Sequence, residues 1–411
     1  MNTKQYTIQY LRDIKNKGEK LVVFGRGTVG KLALYSLTNL GLEVDYFIDS
    51  NEKLQNSKYF DIPTLSAAKL SEIDPNSHVF IAHNYLISAE EVLKKNGIKN
   101  YYTCTELWKQ TDFSKENKII DLNLPLLKIE RMIEIHHFSY LKSLGLENNT
   151  LNVKHIDIMV TERCSMKCKD CANLMQYYHK PTNSDFETLS KSIDRFMKCV
   201  DMVYEFRVLG GDPFMNKEMY KTVNKLASLE KVKSVVIYTN ATILPKNENF
   251  NCLMNEKVRL QITNYGNDLS RKHDELVDML SGNQIKYVTE RVKKWDDIGV
   301  LKHEKKDEEK LNKLFMDCCA NDLFTILNGR LYKCPVSANG TNLNAFPYHE
   351  DIDGIDLVDE KIDEDNLKLR LRMFYNNNKY VTACNYCKGR GYGDGEIDAA
   401  IQTKKPLPLF G

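Results

Sequence analysis

The chain has 411 residues, 42% of them hydrophobic and 10% aromatic, with a formal net charge of +2. That length allows two or three domains that each bury a core, and the near-neutral charge argues against an extended nucleic-acid or anionic-membrane surface. No apolar run approaches the roughly 20 residues of a membrane span, and the opening stretch MNTKQYTIQYLRDIKNKGEK lacks the apolar centre of a secretion signal. A cytoplasmic protein is expected, and there eleven cysteines suit metal ligands or reactive thiols better than disulfides.

In chain order, KLVVFG (20–25), EVDYFIDS (43–50), HVFIAH (78–83) and KNYYTC (99–104) read as strands, with helices over 27–41 and 87–97. This alternation predicts a small parallel-sheet domain over residues 1–112. Within it Gly25, Gly27 and Gly30 form a G-x-G-x-x-G between strand and helix, and Asp49 closes the next strand. Such a turn lets a phosphate approach the helix N-terminus while the acid takes a ribose hydroxyl. The polar KQTDFSKENK (109–118) and the helical PLLKIERMIEIHHFSYLKSLG (125–145) suggest a helical linker over 113–150. From 154 the strands HIDIMV, EFRVLG, SVVIYTN and RLQITNYG alternate with helices near 186–202 and 216–229. They predict a second α/β domain over 151–305, a full or partial barrel. Residues 306–411 are rich in charge runs that read as solvated helix faces.

The chemistry concentrates in DIMVTERCSMKCKDCANLM (157–175), where Cys164, Cys168 and Cys171 share a short loop after an apolar run. Thiolates are soft ligands for zinc or iron–sulfur clusters. Three of them can hold three irons of a 4Fe–4S cube and leave the fourth open to a substrate or cofactor; a structural zinc site is the alternative. The C-x3-C-x2-C spacing resembles the radical S-adenosylmethionine (SAM) superfamily. That resemblance implies a partial (β/α)6 barrel, an open iron that chelates SAM, and reductive cleavage to methionine and a 5′-deoxyadenosyl radical. Asp170 stands where the superfamily commonly has an aromatic residue. VLGGDPF (208–214) resembles the Gly-Gly-Glu-Pro segment, which implies that Gly210, Gly211 and Asp212 hold the SAM amino group, Asp212 replacing the usual Glu. VVIYTNATILP (235–245) resembles the TNG strand end with Ala241 in place of Gly, implying Asn240 as a contact to the SAM carboxylate or ribose. Asn264 or Thr263, ending QITNYG, is implied at the ribose.

A second set follows in CCANDLFTILNGRLYKC (318–334) and ACNYC (383–387). Cys319, Cys334, Cys384 and Cys387 can close a four-thiolate site, zinc or iron–sulfur, with NGR as a hairpin turn. The spacing C-x9-G-x4-C then C-x2-C resembles the SPASM/twitch extension. It implies a small α+β domain over 306–411 carrying one auxiliary 4Fe–4S cluster. Cys318 is an alternative first ligand, or a free thiol near the site that can donate hydrogen. Tyr177 and His179, in MQYYHK after the cluster loop, are acid–base candidates. The isolated Cys104, Cys199 and Cys252 read as core or surface thiols.

The first domain resembles Rossmann-like modules of bacterial sugar-modifying and polysaccharide-assembly enzymes; a nucleotide or nucleotide-sugar ligand is expected there, with NAD(P) or a purely structural role as the alternatives. Together these resemblances imply an oxidoreductase, a dehydrogenase rather than an epimerase. Its expected substrate is a small polar molecule such as a sugar, aminocyclitol or nucleotide-sugar, and its electron donor a flavodoxin or ferredoxin. Peptide modification is the alternative; such enzymes often begin with a winged-helix domain, which the strand–helix alternation here does not resemble.

Overall fold

The computed structural model describes residues 6–83, 86–115, 120, 122, 124–148, 150–299, 301–391 and 395–409. The chain divides into two compact units, Met1–Thr150 and Leu151–Gly411. Among the described residues no helix is long and apolar enough to cross a membrane.

The first unit holds strands β1 (Leu21–Phe24), β2 (Tyr46–Asp49), β3 (Ser57–Tyr59), β4 (Ile62–Ser66), β5 (His78–Ile81) and β6 (Asn100–Thr103). Its helices are α1 (Ile8–Asn16), α2 (Thr28–Asn39), α3 (Leu86–Lys95), α4 (Thr105–Lys109) and α5 (Leu126–Asn148). The sheet order is β3-β4-β2-β1-β5-β6, parallel except for the edge strand β3. Alternate residues serve opposite faces. Leu21 and Val23 pack with α1, α2 and α4, whereas Val22 and Phe24 pack with α3. Burial on both faces explains why these strands are apolar throughout. The order reverses beside β1, which puts the Gly25 turn at the switch point where β1 and β5 end. Ile129, Met132 and Ile133 of α5 pack into this core, so the expected linker helix belongs to the first unit.

The second unit contains β7 (Asn152–Thr161), β8 (Met202–Gly210), β9 (Val232–Thr239), β10 (Val258–Asn264), β11 (Tyr287–Arg291), β12 (Lys294–Asp296), β13 (Phe324–Leu327), β14 (Arg330–Tyr332), β15 (Gly354–Asp356) and β16 (Glu396–Asp398). Its helices are α6 (Phe186–Cys199), α7 (Met219–Ser228), α8 (Glu248–Asn251), α9 (His273–Gly282), α10 (Glu308–Asp317), α11 (Pro335–Asn342) and α12 (Glu364–Asn376). Eight strands form one sheet in the order β11-β10-β9-β8-β7-β13-β14-β15. From β7 to β11 every strand is added on the same side. Right-handed crossovers then put the intervening helices on one face, where Leu189, Phe196, Val223 and Leu276 cover Ile156, Ile158, Phe206 and Ile262. The sixth parallel strand, β13, joins beside β7. Asn328 (φ 45) and Gly329 (φ 86) then turn the chain into β14, the left-handed pair a two-residue hairpin needs. Residues 306–411 thus extend the core sheet, and β16 returns to pair with β12.

The face away from these helices carries the site. Asp157, Met159, Arg207 and Leu209 alternate with the residues under the helices, and Met159 and Leu209 pack with Cys171, Met175 and Tyr178.

Candidate metal centres

The first cysteine loop follows β7 at the C-terminal end of the parallel sheet, where α/β folds place their sites. Gly210 and Gly211 bring the end of β8 against this loop. A Cβ on Gly210 would lie 2.1 Å from the Thr161 carbonyl oxygen, and one on Gly211 would lie 2.1 Å from that of Arg163. The backbones lock through Gly211 N–H to Thr161 O (2.9 Å) and Asp212 N–H to Arg163 O (2.9 Å). Asn173 Nδ2 donates to Gly210 O (3.0 Å).

Cys164, Cys168 and Cys171 pack with Met166, Tyr265, Trp295 and Ala400. Burial pushes all three thiols up, Cys168 to about 12. Donors aimed at the sulfurs oppose that shift. The backbone N–H groups of Met175, Asn173 and Leu174 address Cys171, and that of Met166 addresses Cys164. Gln402 Nε2 lies 3.2 Å from Cys168 Sγ, and Asn240 Nδ2 lies 3.6 Å from Cys164 Sγ. Such donors favour thiolates, and a metal held by Cys164, Cys168 and Cys171 would supply the remaining charge compensation. Gln402, 234 positions beyond Cys168, carried no signal in the sequence; its Oε1 also accepts from Lys167 N–H (2.8 Å).

Asp212 is fully buried. Oδ2 accepts from Thr239 Oγ1 (2.8 Å) and Asn240 N–H (3.0 Å), and Oδ1 from Phe214 N–H (3.1 Å). Burial raises its titration above the usual carboxylate range, and these donors offset part of the rise. The carboxylate ties the Gly-Gly turn to the end of β9 and so positions Asn240. Both oxygens thus accept from the chain's own donors. Asn240 Oδ1 accepts from Thr242 N–H (3.1 Å) and Oγ1 (2.6 Å). Ala241 is left-handed (φ 56), the conformation for which Gly is best suited. Asn264 is drawn into its own turn, accepting from Gly266 N–H (2.7 Å) and Arg291 Nη1 (3.1 Å).

The second set gathers around one cavity. Cys318, Cys334, Cys384 and Cys387 line one apolar cavity with Leu314 and Val381, and Cys319 is outside it. Cys318 Sγ accepts from Ala320 N–H (3.4 Å), Cys334 Sγ from Ser337 N–H (3.4 Å) and Cys387 Sγ from Gly389 N–H (3.3 Å). Burial pushes Cys384 up to about 12 and Cys387 up to about 11, opposed by the backbone N–H groups of Val381 and Gly389. Cys319 Sγ takes no hydrogen bond among the described residues. Burial raises this thiol too, and Arg390 beside it lowers it. Cys318, which caps the C-terminus of α10, turns into the cavity, and the adjacent residue turns away.

Cys104, Cys199 and Cys252 behave oppositely, each donating its S–H to a carbonyl: Ile81 O, Glu364 O and Asn249 O. They are protonated core thiols. Tyr177, the acid–base candidate, is buried. Its ring is buried among Leu301, Leu311 and Phe346, and burial raises its hydroxyl. His179 is exposed. Neither joins the cysteine loop. Among the described residues no three His, Cys, Asp or Glu side chains converge closely enough to hold a single metal ion. A cluster asks for something else, since each thiolate takes a different iron.

In the first unit Gly25, Gly27 and Gly30 form the turn into α2. A Cβ on Gly30 would meet Gly25 O at 2.0 Å, while Gly27 has nothing within 4 Å. Gly27 occupies the N-cap of α2 with no side-chain cap, so that end faces open space. Asp49 accepts from Arg26 N–H (2.7 Å) and Asn51 N–H (2.8 Å), which ties the turn to β2.

Fold and site together define an α/β protein with a three-thiol loop at its strand ends. Residues 156–283 match the family described as "4Fe-4S single cluster domain". A GTP 3′,8-cyclase of Clostridium acetobutylicum is 25% identical over 103 residues, 25% of this chain and 31% of that protein. The chain thus spans about a third of that relative. BtrN in complex with AdoMet and 2-DOIA aligns at 13% identity and TM-score 0.36, over 62% of this chain and 97% of BtrN. Streptococcus suis SuiB bound to S-adenosylmethionine aligns at 12% identity and TM-score 0.32, over 80% and 88%. The matched residues contain the three-cysteine spacing and the Gly-Gly turn.

Proposed function

We propose that this protein cleaves SAM at a 4Fe–4S cluster held by Cys164, Cys168 and Cys171, and oxidises a small hydroxyl-bearing substrate. An auxiliary 4Fe–4S cluster on Cys318, Cys334, Cys384 and Cys387 completes the reading. The observation that carries it is the contrast among the cysteines. The seven assigned sulfurs have N–H donors directed at them, whereas Cys104, Cys199 and Cys252 donate to carbonyls and Cys319 Sγ takes no hydrogen bond among the described residues.

Bound at three thiolates, such a cluster supplies one electron, drawn from a flavodoxin or ferredoxin, and an open iron for SAM. A four-thiolate cluster has no open iron and is suited to accept the electron left when an alcohol loses a hydrogen atom and a proton. The chain's part is to hold these groups apart and dry. The Gly-Gly turn supports the cysteine loop, Asp212 fixes Asn240 beside Cys164, and Tyr265 and Trp295 cover the thiols. The same reading places a nucleotide or nucleotide-sugar phosphate at the open N-terminus of α2.

Iron analysis tests the assignment. Anaerobically reconstituted protein is expected to carry about eight irons, and Cys164→Ala/Cys168→Ala/Cys171→Ala about four. Cys318→Ala should disturb the auxiliary four, and Cys319→Ala should leave them. Reduced native protein should release 5′-deoxyadenosine and the triple variant none. Four irons with one zinc would refute the auxiliary cluster, and equal 5′-deoxyadenosine from the triple variant would refute the SAM site.

A further inference from the structure

One buried ion pair holds no cysteine in place. Asp157 on β7 and Arg207 on β8 are register partners. Arg207 Nε and Nη2 both lie 2.6 Å from the same oxygen, Asp157 Oδ1. Asp157 Oδ2 accepts nothing among the described residues. The side chains are 2% and 13% exposed. Both lie on the sheet face that carries Met159 and Leu209, which pack against Cys171. They are two residues earlier on their strands, about 7 Å further from the cluster loop.

The surroundings narrow the ligand. Glu205 and Arg390 act electrostatically on Asp157, and the Tyr238 ring lies 5.7 Å from the Arg207 guanidinium carbon. Arg390 also lines the four-cysteine cavity, its carbonyl accepts from Cys319 N–H (2.9 Å), and its Nε lies 3.6 Å from Asp296. The face therefore lies between the two cysteine sets. Three carboxylates, Asp157, Glu205 and Asp296, face two guanidiniums, Arg207 and Arg390, so the charge of this face disfavours an anionic ligand. A free carboxylate oxygen beside a guanidinium edge instead complements adjacent hydroxyls, one donating to Oδ2 and the next accepting from an arginine N–H.

We propose that Asp157 and Arg207, with Arg390 beside them, bind the substrate through two adjacent hydroxyls, and that the substrate is an uncharged sugar or cyclic polyol. This rests on the SAM-cleaving reading of the cysteine loop.

The test is saturation-transfer NMR and calorimetry on the full-length, anaerobically reconstituted protein with SAM present. The probes are myo-inositol and methyl glucoside, against glucuronate and glucose 6-phosphate. At least one neutral ring is expected to bind saturably. Asp157→Asn and Arg207→Lys should each weaken it about tenfold or more, about 1.4 kcal/mol, while SAM affinity and iron content hold. Absence of neutral-ring binding, tighter binding of the anionic probes, or equal binding by both variants would overturn the proposal and leave the pair as a structural ion pair. Iron content in the same samples separates the two readings. Failure to load the Cys164 site defeats the SAM assignment, whereas loaded protein that ignores both neutral rings defeats only this inference.

Discussion

Removing the Asp212 carboxylate should be among the most damaging single changes in the second unit. Asp212→Ala leaves the Thr239 hydroxyl and the N–H groups of Asn240 and Phe214 without an acceptor, in a site with no exposure. Each stranded buried donor costs about 1–3 kcal/mol. Relief of the carboxylate's own desolvation, visible in its raised titration, offsets part of the total. A net loss of about 4 kcal/mol follows, near the upper end for one substitution. Asp212→Asn keeps one acceptor oxygen and should lose about half of that. Asp212→Glu adds a methylene to a filled site and should cost about 1–3 kcal/mol. The assay is anaerobic urea unfolding in a Trp108→Phe background, so that Trp295, the other of the two tryptophans, reports on the second unit alone. SAM binding is measured in parallel. A loss below about 1 kcal/mol together with abolished SAM binding would refute the reasoning and make Asp212 a direct cofactor ligand.

Three other outcomes follow from single residues. Ala241→Gly relieves a left-handed alanine (φ 56) and should raise stability by about 0.5–1 kcal/mol; a loss in the same urea assay would contradict this. Burial raises Asp157 to about 6, with Arg207 and Arg390 lowering it and Glu205 raising it. The folded state therefore binds more protons than the unfolded state between about pH 4 and 6, so this group's contribution to stability falls as pH rises through that window, by up to about 3 kcal/mol. Asp157→Asn should flatten the slope, and an unchanged pH profile would show that the shift is absent. Gly27→Val places a branched side chain at the open N-terminus of α2. It should abolish nucleotide or nucleotide-sugar binding by the full chain in calorimetry while changing stability by less than about 1 kcal/mol; retained binding would place the ligand elsewhere.

The strand–helix alternation was legible because parallel strands under helices must be apolar, and each predicted strand from KLVVFG to RLQITNYG is present. The β3–β4 hairpin was not. Its turn uses Phe60 (φ 52) and Asp61 (φ 62) in place of the Asn-Gly or Asp-Gly that announces such turns. The cysteine spacing signalled the three-thiol loop but could not decide between Cys318 and Cys319. Adjacent residues at a helix C-cap point in different directions, and that depends on packing rather than spacing. Asp212 looked like a ligand in its motif, yet its depth depends on β9 lying alongside, a tertiary fact. Gln402 and Arg390 act through contacts made across the chain, which no local window contains.

The reach of Gln402 to Cys168 bears on how the protein is made. During synthesis the cysteine loop emerges more than two hundred residues ahead of the segment that touches it. At about 5–20 residues per second, that interval lasts from about ten seconds to most of a minute. Throughout it the three thiols lack both the Gln402 amide and the β12–β16 pairing that holds Trp295. Iron delivered in that interval would meet an uncovered loop, open to oxygen and to the wrong metal. Iron delivered after release from the ribosome would instead meet the loop with Gln402 and Trp295 already in place.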